Sequence, residues 1–225
     1  MNYKIINYIK TINKNINTLL LYNYIKNSNI IYPYILEKNK ENFSHIDIFT
    51  KLMMNRIIFI GTDINNDVSN IIQSQLLFLD SIETKNIKIY INSYGGDIYS
   101  GLGIYDTMQL INSKISTTCV GIAASMAAIL LCAGENGMRY SLKHSRIMIH
   151  QPIVNNISGQ ESDIEIKAKE MKLLKNELYK ILSFHTKKKM KKIEKDADRD
   201  YWMTSKDAKK YGIIDEILSK KNYNE

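Results

Sequence analysis

Short β-branched runs alternate with helical periodicity from Arg56 to His150, and this alternation constrains the fold most. RIIFIG (56–61) reads as a buried strand ending at glycine. Val68, Ile71, Ile72, Leu76 and Leu79 recur along one face of a helix at 67–80. IKIYI (87–91) is a second strand, closed by the breaker SYGGD, and 98–111 is helical again. ISTTCVG (115–121) is a strand, AASMAAILLCAG (123–134) a helix closed by glycine, and RIMIH (146–150) a strand before Pro152. Strands separated by helices make βαβ units, hence an α/β fold with a mostly parallel sheet.

A long helix follows at 161–185. Ile164, Ala168, Met171, Leu174, Leu178 and Ile181 form one apolar stripe on it, opposite lysines and glutamates. Such a stripe packs on a core or faces another subunit. TSKD (204–207) has the pattern of a capping box opening one more helix. Residues 1–30 differ from the rest: the first acidic side chain is Glu37, and isoleucines recur among lysines. They read as an N-terminal extension or propeptide before a domain at 31–220, with a short tail at 221–225.

The chain has 225 residues and a net charge of +8. That charge raises nucleic acid or a membrane surface as a partner. Arg56, Arg139, Arg146 and Arg199 are the only arginines, and a phosphate-reading surface favours arginine. A basic binding module is therefore the weakest reading. No apolar stretch nears the roughly 18 residues needed to span a bilayer. Cys119 and Cys132 lie in apolar runs without metal spacing and read as buried free thiols of a reducing compartment.

One hydroxyl stands out. In GIAASMAAILL (121–131), Ser125 is the single polar side chain. By itself it reads as a small packing residue in a helix. Yet it lies where a strand turns into a helix, the order of a nucleophile elbow, although the motif is not GxSxG. His150 closes the strand RIMIH, and functional groups gather at the carboxyl ends of parallel strands. An imidazole there can take the Ser125 proton and return it to a leaving amine. The imidazole needs a carboxylate to hold its tautomer, and DADRD offers Asp196, Asp198 and Asp200. Charge pattern alone does not choose among them. Gly95-Gly96, after a strand and before a helix, either makes a simple turn or turns its N–H groups toward an oxyanion.

Four separated stretches, in order, carry a resemblance: INSYGGDIYSGLGIYDTMQLI, VGIAASMAAILLCAGENGMR, HSRIMIHQP and DRDYWMTSKDAKKYGIIDEI. Together they closely resemble the Clp protease family, from about Pro33 to Leu218. The resemblance implies a crotonase-like fold of repeated ββα units with a protruding handle helix. It implies a self-compartmentalised serine endopeptidase acting on unfolded polypeptides without metal or cofactor. It assigns Ser125 as nucleophile, His150 as base, Asp200 as the orienting carboxylate, and the N–H groups of Gly96 and Met126 as oxyanion donors. It places Asp198 and Arg199 at an oligomer contact between two stacked heptameric rings. Tyr90 and Leu110 fall where a separate AAA+ unfoldase docks. The chain has no GxxxxGK[ST] phosphate loop, so ATP-driven unfolding belongs to that partner. The compartment implied is a bacterial cytoplasm, with plastid or mitochondrial matrix as alternatives.

The chain departs from the family pattern in two places. Tyr94 stands where the family has proline, and Asn155-Asn156 replace a glycine pair. The rival functions are a non-catalytic scaffold subunit and a crotonase-type acyl-CoA enzyme, which uses an oxyanion site but no serine nucleophile.

Overall fold

The computed structural model describes residues 34–39, 42–153 and 158–220. The expectations placed on 1–30, on Asn155-Asn156 and on 221–225 lie outside the described residues. The chain divides into two compact units between Lys51 and Leu52. In the first, β1 (Tyr34–Asn39) and β2 (Asn42–Asp47) form an antiparallel hairpin. The helix α1 (Ile48–Met54) starts at its end, where Asp47 Oδ1 accepts the N–H groups of Phe49 and Thr50, each at 3.0 Å. That bond pair satisfies two donors a helix start leaves open.

The second unit is the predicted alternation. In chain order come β3 (Ile57–Ile60), α2 (Asn66–Ile82), β4 (Ile87–Ser93), α3 (Ile98–Leu110), β5 (Ile115–Ala124) and α4 (Met126–Cys132). Then follow β6 (Arg139–Leu142), β7 (Arg146–Ile149), α5 (Glu161–Thr186), α6 (Met190–Asp196), β8 (Tyr201–Thr204), α7 (Ser205–Tyr211) and β9 (Glu216–Leu218). The sheet runs β3-β4-β5-β6-β9, and β7 joins it beside β5 with β8 outside β7. Every pairing in this sheet is parallel except β7 with β8.

β5 changes partners along its length. Thr117 to Cys119 pair with β6, whereas Ile122 to Ala124 pair with β7. Gly121 sits at the change with φ 111°, where a Cβ would lie 2.5 Å from Asn92 Oδ1. Only glycine fits there. Ser145 Oγ accepts from Gly121 N at 3.2 Å and donates to Cys119 O at 2.9 Å, and Asn92 Oδ1 accepts from Ile122 N at 3.2 Å. These bonds satisfy the backbone groups released by the switch.

The alternation on β4 is complete: Ile87, Ile89 and Ile91 are buried, while Lys88 and Asn92 face out. On α2, Ile72, Leu76 and Leu79 reach the core, but Ile71, one step round the helix, is exposed. All seven residues of α4 are buried. A helix apolar on every side belongs in the middle of a core, which explains the run of alanine and leucine after Ser125. This helix is shorter than the 123–134 segment read from the sequence, because Ala123 and Ala124 continue β5. Thr204 and Asp207 form the expected capping box at the start of α7. On α5 the apolar stripe divides. Leu174, Leu178 and Ile181 are buried, whereas Ile164 and the whole first stretch from Glu161 to Glu170 are exposed.

Candidate active site

Strand register brings the candidate residues together. Ala124 of β5 pairs with Met148 of β7, so Ser125 and His150 leave the same sheet edge. Ser125 N donates to Met148 O at 2.9 Å, fixing that junction. β8 runs antiparallel to β7 with Ile149 opposite Tyr201, so Asp200 enters beside His150. Ser93 of β4 pairs with Ala123, which delivers Gly95-Gly96 to the same place.

Ser125 is the N-cap of α4, yet its side chain makes no cap bond. Its Oγ instead lies 2.8 Å from His150 Nε2. The Ser125 backbone has φ 53° and ψ −125°, a conformation that L-residues rarely adopt. Such strain costs on the order of 1–3 kcal/mol and persists only where surroundings hold it. Here the sharp turn aims the hydroxyl out of the core toward the imidazole, as in a nucleophile elbow.

His150 Nδ1 is 3.3 Å from Asp200 Oδ1. A proton on Nδ1 toward this carboxylate leaves Nε2 as an acceptor for the Ser125 hydroxyl. The other two aspartates of DADRD are engaged elsewhere. Asp196 accepts from Tyr211 Oη and Lys192 Nζ, and the Asp198 carboxylate faces Gln151, whose Nε2 lies 3.5 Å from its Oδ1. The geometry thus singles out Asp200, which charge pattern alone left open.

The glycine loop closes tightly over the serine. Gly95 has φ 102°, and a Cβ on it would lie 2.6 Å from Ala124 O and 2.8 Å from Ser125 Cβ. Ser93 Oγ accepts from Gly95 N at 3.1 Å. The bridge from this loop to Ile64 runs through Gly95 O and Asp97 N, so Gly96 N–H stays out of it. Met126 is the first residue of α4, where an N–H has no acceptor within the helix. Gly96, Ser125, Met126 and His150 border one cavity of about 190 Å³, walled by Ile98, Ile129, Ile149, Leu178 and other apolar side chains. These wall residues come from four elements and had no signature in the sequence. Gly101 leaves room for the Met126 side chain, whose Cε would lie 2.4 Å from a Cβ at that position.

The remaining candidates lie outside the cavity. Asp198 and Arg199 are exposed on the turn before β8. Tyr90 stacks with Phe59 across β3 and β4 at 6.5 Å between ring centres, and Leu110, the last residue of α3, is 77% exposed. Tyr94, beside the glycine pair, is also exposed. Cys119 and Cys132 are buried free thiols, pushed by burial up to about 11 and about 12 respectively. At neutral pH both therefore stay protonated and unreactive. Among the described residues no group of three His, Cys, Asp or Glu side chains could hold a metal. No helix among them is long and apolar enough to cross a membrane.

Comparison with known proteins gives a consistent result. The family model for Clp protease matches residues 38–221. The ATP-dependent Clp protease proteolytic subunit of Bacteroides fragilis is 53% identical over 207 residues, covering 91% of this chain and 100% of that one. The protein of the same name from Porphyromonas gingivalis is 53% identical over 194 residues, covering 86% and 87%. The ATP-dependent Clp protease proteolytic subunit 1 of Salinibacter ruber is 50% identical over 193 residues, covering 85% and 82%. The likeness spans every element that builds the cavity, and the chain belongs to the Clp protease family.

Proposed function

We propose that this Clp-type serine protease cuts peptide bonds through an acyl-enzyme on Ser125. The observation that carries the reading is the 2.8 Å approach of Ser125 Oγ to His150 Nε2 at the mouth of an apolar cavity. His150 takes the hydroxyl proton as Ser125 Oγ attacks the peptide carbonyl. Asp200 keeps the imidazole in the accepting tautomer and stabilises the imidazolium that forms. The developing oxyanion rests on the N–H groups of Gly96 and Met126; one such donor is worth roughly 10²–10³ in rate. The imidazolium then protonates the leaving amine as the tetrahedral intermediate collapses. His150 next removes a proton from water, which attacks the acyl carbon. Collapse of the second tetrahedral intermediate breaks the bond to Ser125 Oγ, which takes the proton back from the imidazolium as the new carboxylate leaves. The substrate lies extended, paired through its main chain, and the apolar walls favour an apolar side chain before the cut.

The assembly is proposed as two stacked heptameric rings fed with unfolded polypeptide by a separate AAA+ unfoldase. Support comes from the exposed apolar side chains Ile164, Ile166 and Leu173 on α5, which a partner copy would cover. Asp198 and Arg199 contact across the rings in this reading, and Tyr90 and Leu110 receive the unfoldase. A bacterial cytoplasm is the compartment proposed, in keeping with two unpaired thiols.

Hydrolysis of a short apolar peptide carrying a fluorogenic leaving amine tests the reaction. Turnover by the assembled protein that vanishes in Ser125→Ala supports it. Turnover unchanged in Ser125→Ala rules out the serine mechanism. An assembled protein with no turnover and no labelling by a serine probe is a scaffold subunit instead.

A further inference from the structure

The Asp200 side chain is 58% exposed, and its contact with His150 Nδ1 is long, at 3.3 Å. Residues 197–200 form an irregular turn between α6 and β8. A carboxylate on such a turn holds its place only if the backbone beneath it is held. Two consecutive carbonyls of that turn are gripped by side chains from elsewhere. Tyr179 Oη donates to Ala197 O at 3.4 Å, and Gln151 Nε2 donates to Asp198 O at 2.8 Å. Gln151 Oε1 in turn accepts from Lys175 Nζ at 2.9 Å. Lys175 and Tyr179 lie one turn apart on α5, with the ammonium 5.5 Å from the Tyr179 ring centre.

An amide side chain is suited to this bridge. Its two ends are read by opposite partners, an ammonium that only donates and a carbonyl that only accepts. Its orientation is therefore fixed. Gln151 also follows His150 directly in the chain, so one residue ties the imidazole's strand to the turn that carries its carboxylate.

We propose that Gln151, oriented by Lys175, is a positioning residue that holds the Asp198–Asp200 turn and so keeps Asp200 against His150. The inference rests on the assignment of Ser125, His150 and Asp200 as the catalytic trio. Gln151 touches no reacting atom and acts through Asp200. A misplacement near 1 Å in a catalytic constellation can cost about 10²-fold in rate.

Gln151→Glu separates positioning from packing. It keeps the length and the contact with Lys175, but it cannot donate to Asp198 O. The assembled variant is expected to hydrolyse a short fluorogenic peptide with kcat lowered about tenfold to 10²-fold and KM within about twofold. In an Asp200→Asn background the same change is expected to cost less than about threefold, because both act through one contact. Lys175→Met, which leaves Gln151 and the Asp198 carbonyl in place, is expected to lower kcat less, and also non-additively with Asp200→Asn. It carries the cycle if Gln151→Glu does not assemble. Wild-type kcat in Gln151→Glu, or equal cost in both backgrounds, overturns the positioning role. If Asp200→Asn itself leaves hydrolysis unchanged, the fault lies with the catalytic assignment and not with Gln151 alone.

Discussion

Ser125 and His150 stand 25 residues apart in the chain, yet Oγ and Nε2 meet at 2.8 Å because Ala124 pairs with Met148. The parallel register of β5 and β7 is thus the device that assembles the site. Antiparallel β8 adds Asp200 from the other direction. On this account His150→Ala lowers kcat about 10⁴-fold or more, and Asp200→Asn lowers it about 10³–10⁴-fold. Melting temperatures should stay close to wild type, since neither side chain belongs to the core. Peptide turnover and thermal unfolding of each variant check this.

Gly95→Ala tests how closely the glycine loop is fitted. The added Cβ meets Ala124 O and Ser125 Cβ, and φ 102° disfavours any L side chain. The strain alone is about 1–3 kcal/mol. A lower melting temperature together with a lower kcat is expected. Unchanged values of both would show that the loop relaxes freely.

His185 is expected to make the protein acid-sensitive. Burial, then the charges of Arg139 and Lys187, pull this imidazole from 6.5 down to about 4. Its Nε2 lies 3.2 Å from Tyr105 Oη. An unfolded histidine gains its proton as pH falls through 6.5, whereas the folded one stays neutral until about 4. Unfolding is therefore favoured progressively over that window, and stability from this group is complete above it. His185→Gln should flatten the fall of melting temperature between those pH values. An identical slope in the variant would exclude His185 as its source.

Ser141 carries a cost within the fold. Its hydroxyl is fully buried on β6 and has no hydrogen-bond partner among the described residues. An unsatisfied buried hydroxyl costs about 1–3 kcal/mol. Ser141→Ala should raise stability by about 1 kcal/mol in denaturant unfolding, and a lower stability would mean that the hydroxyl is satisfied in solution.

The sequence was legible where local pattern and tertiary role agree. Ile87, Ile89 and Ile91 alternate because one face of β4 is buried, so the strand could be read directly. β8 (YWMT) and β9 (EIL) escaped because they lack the repeated isoleucines that mark β3 and β7, which are no longer than β8. The helix after Ser125 was read too long because apolar Ala123 and Ala124 suit a buried strand as well as a buried helix. Asp196, Asp198 and Asp200 are alike in a charge run. What distinguishes them is the register of β8 against β7, a long-range fact with no local trace. Ile164 and Ala168 fit a core stripe by periodicity, yet they lie on the exposed part of α5. Periodicity reports that a face is apolar, not what covers it.

Peptide mapping after reaction with a fluorophosphonate tests the central claim most directly. The account predicts one phosphonyl adduct per chain, on the peptide containing Ser125, formed quickly in the wild type and lost in His150→Ala. An adduct on another serine, or equal labelling without the imidazole, would contradict it.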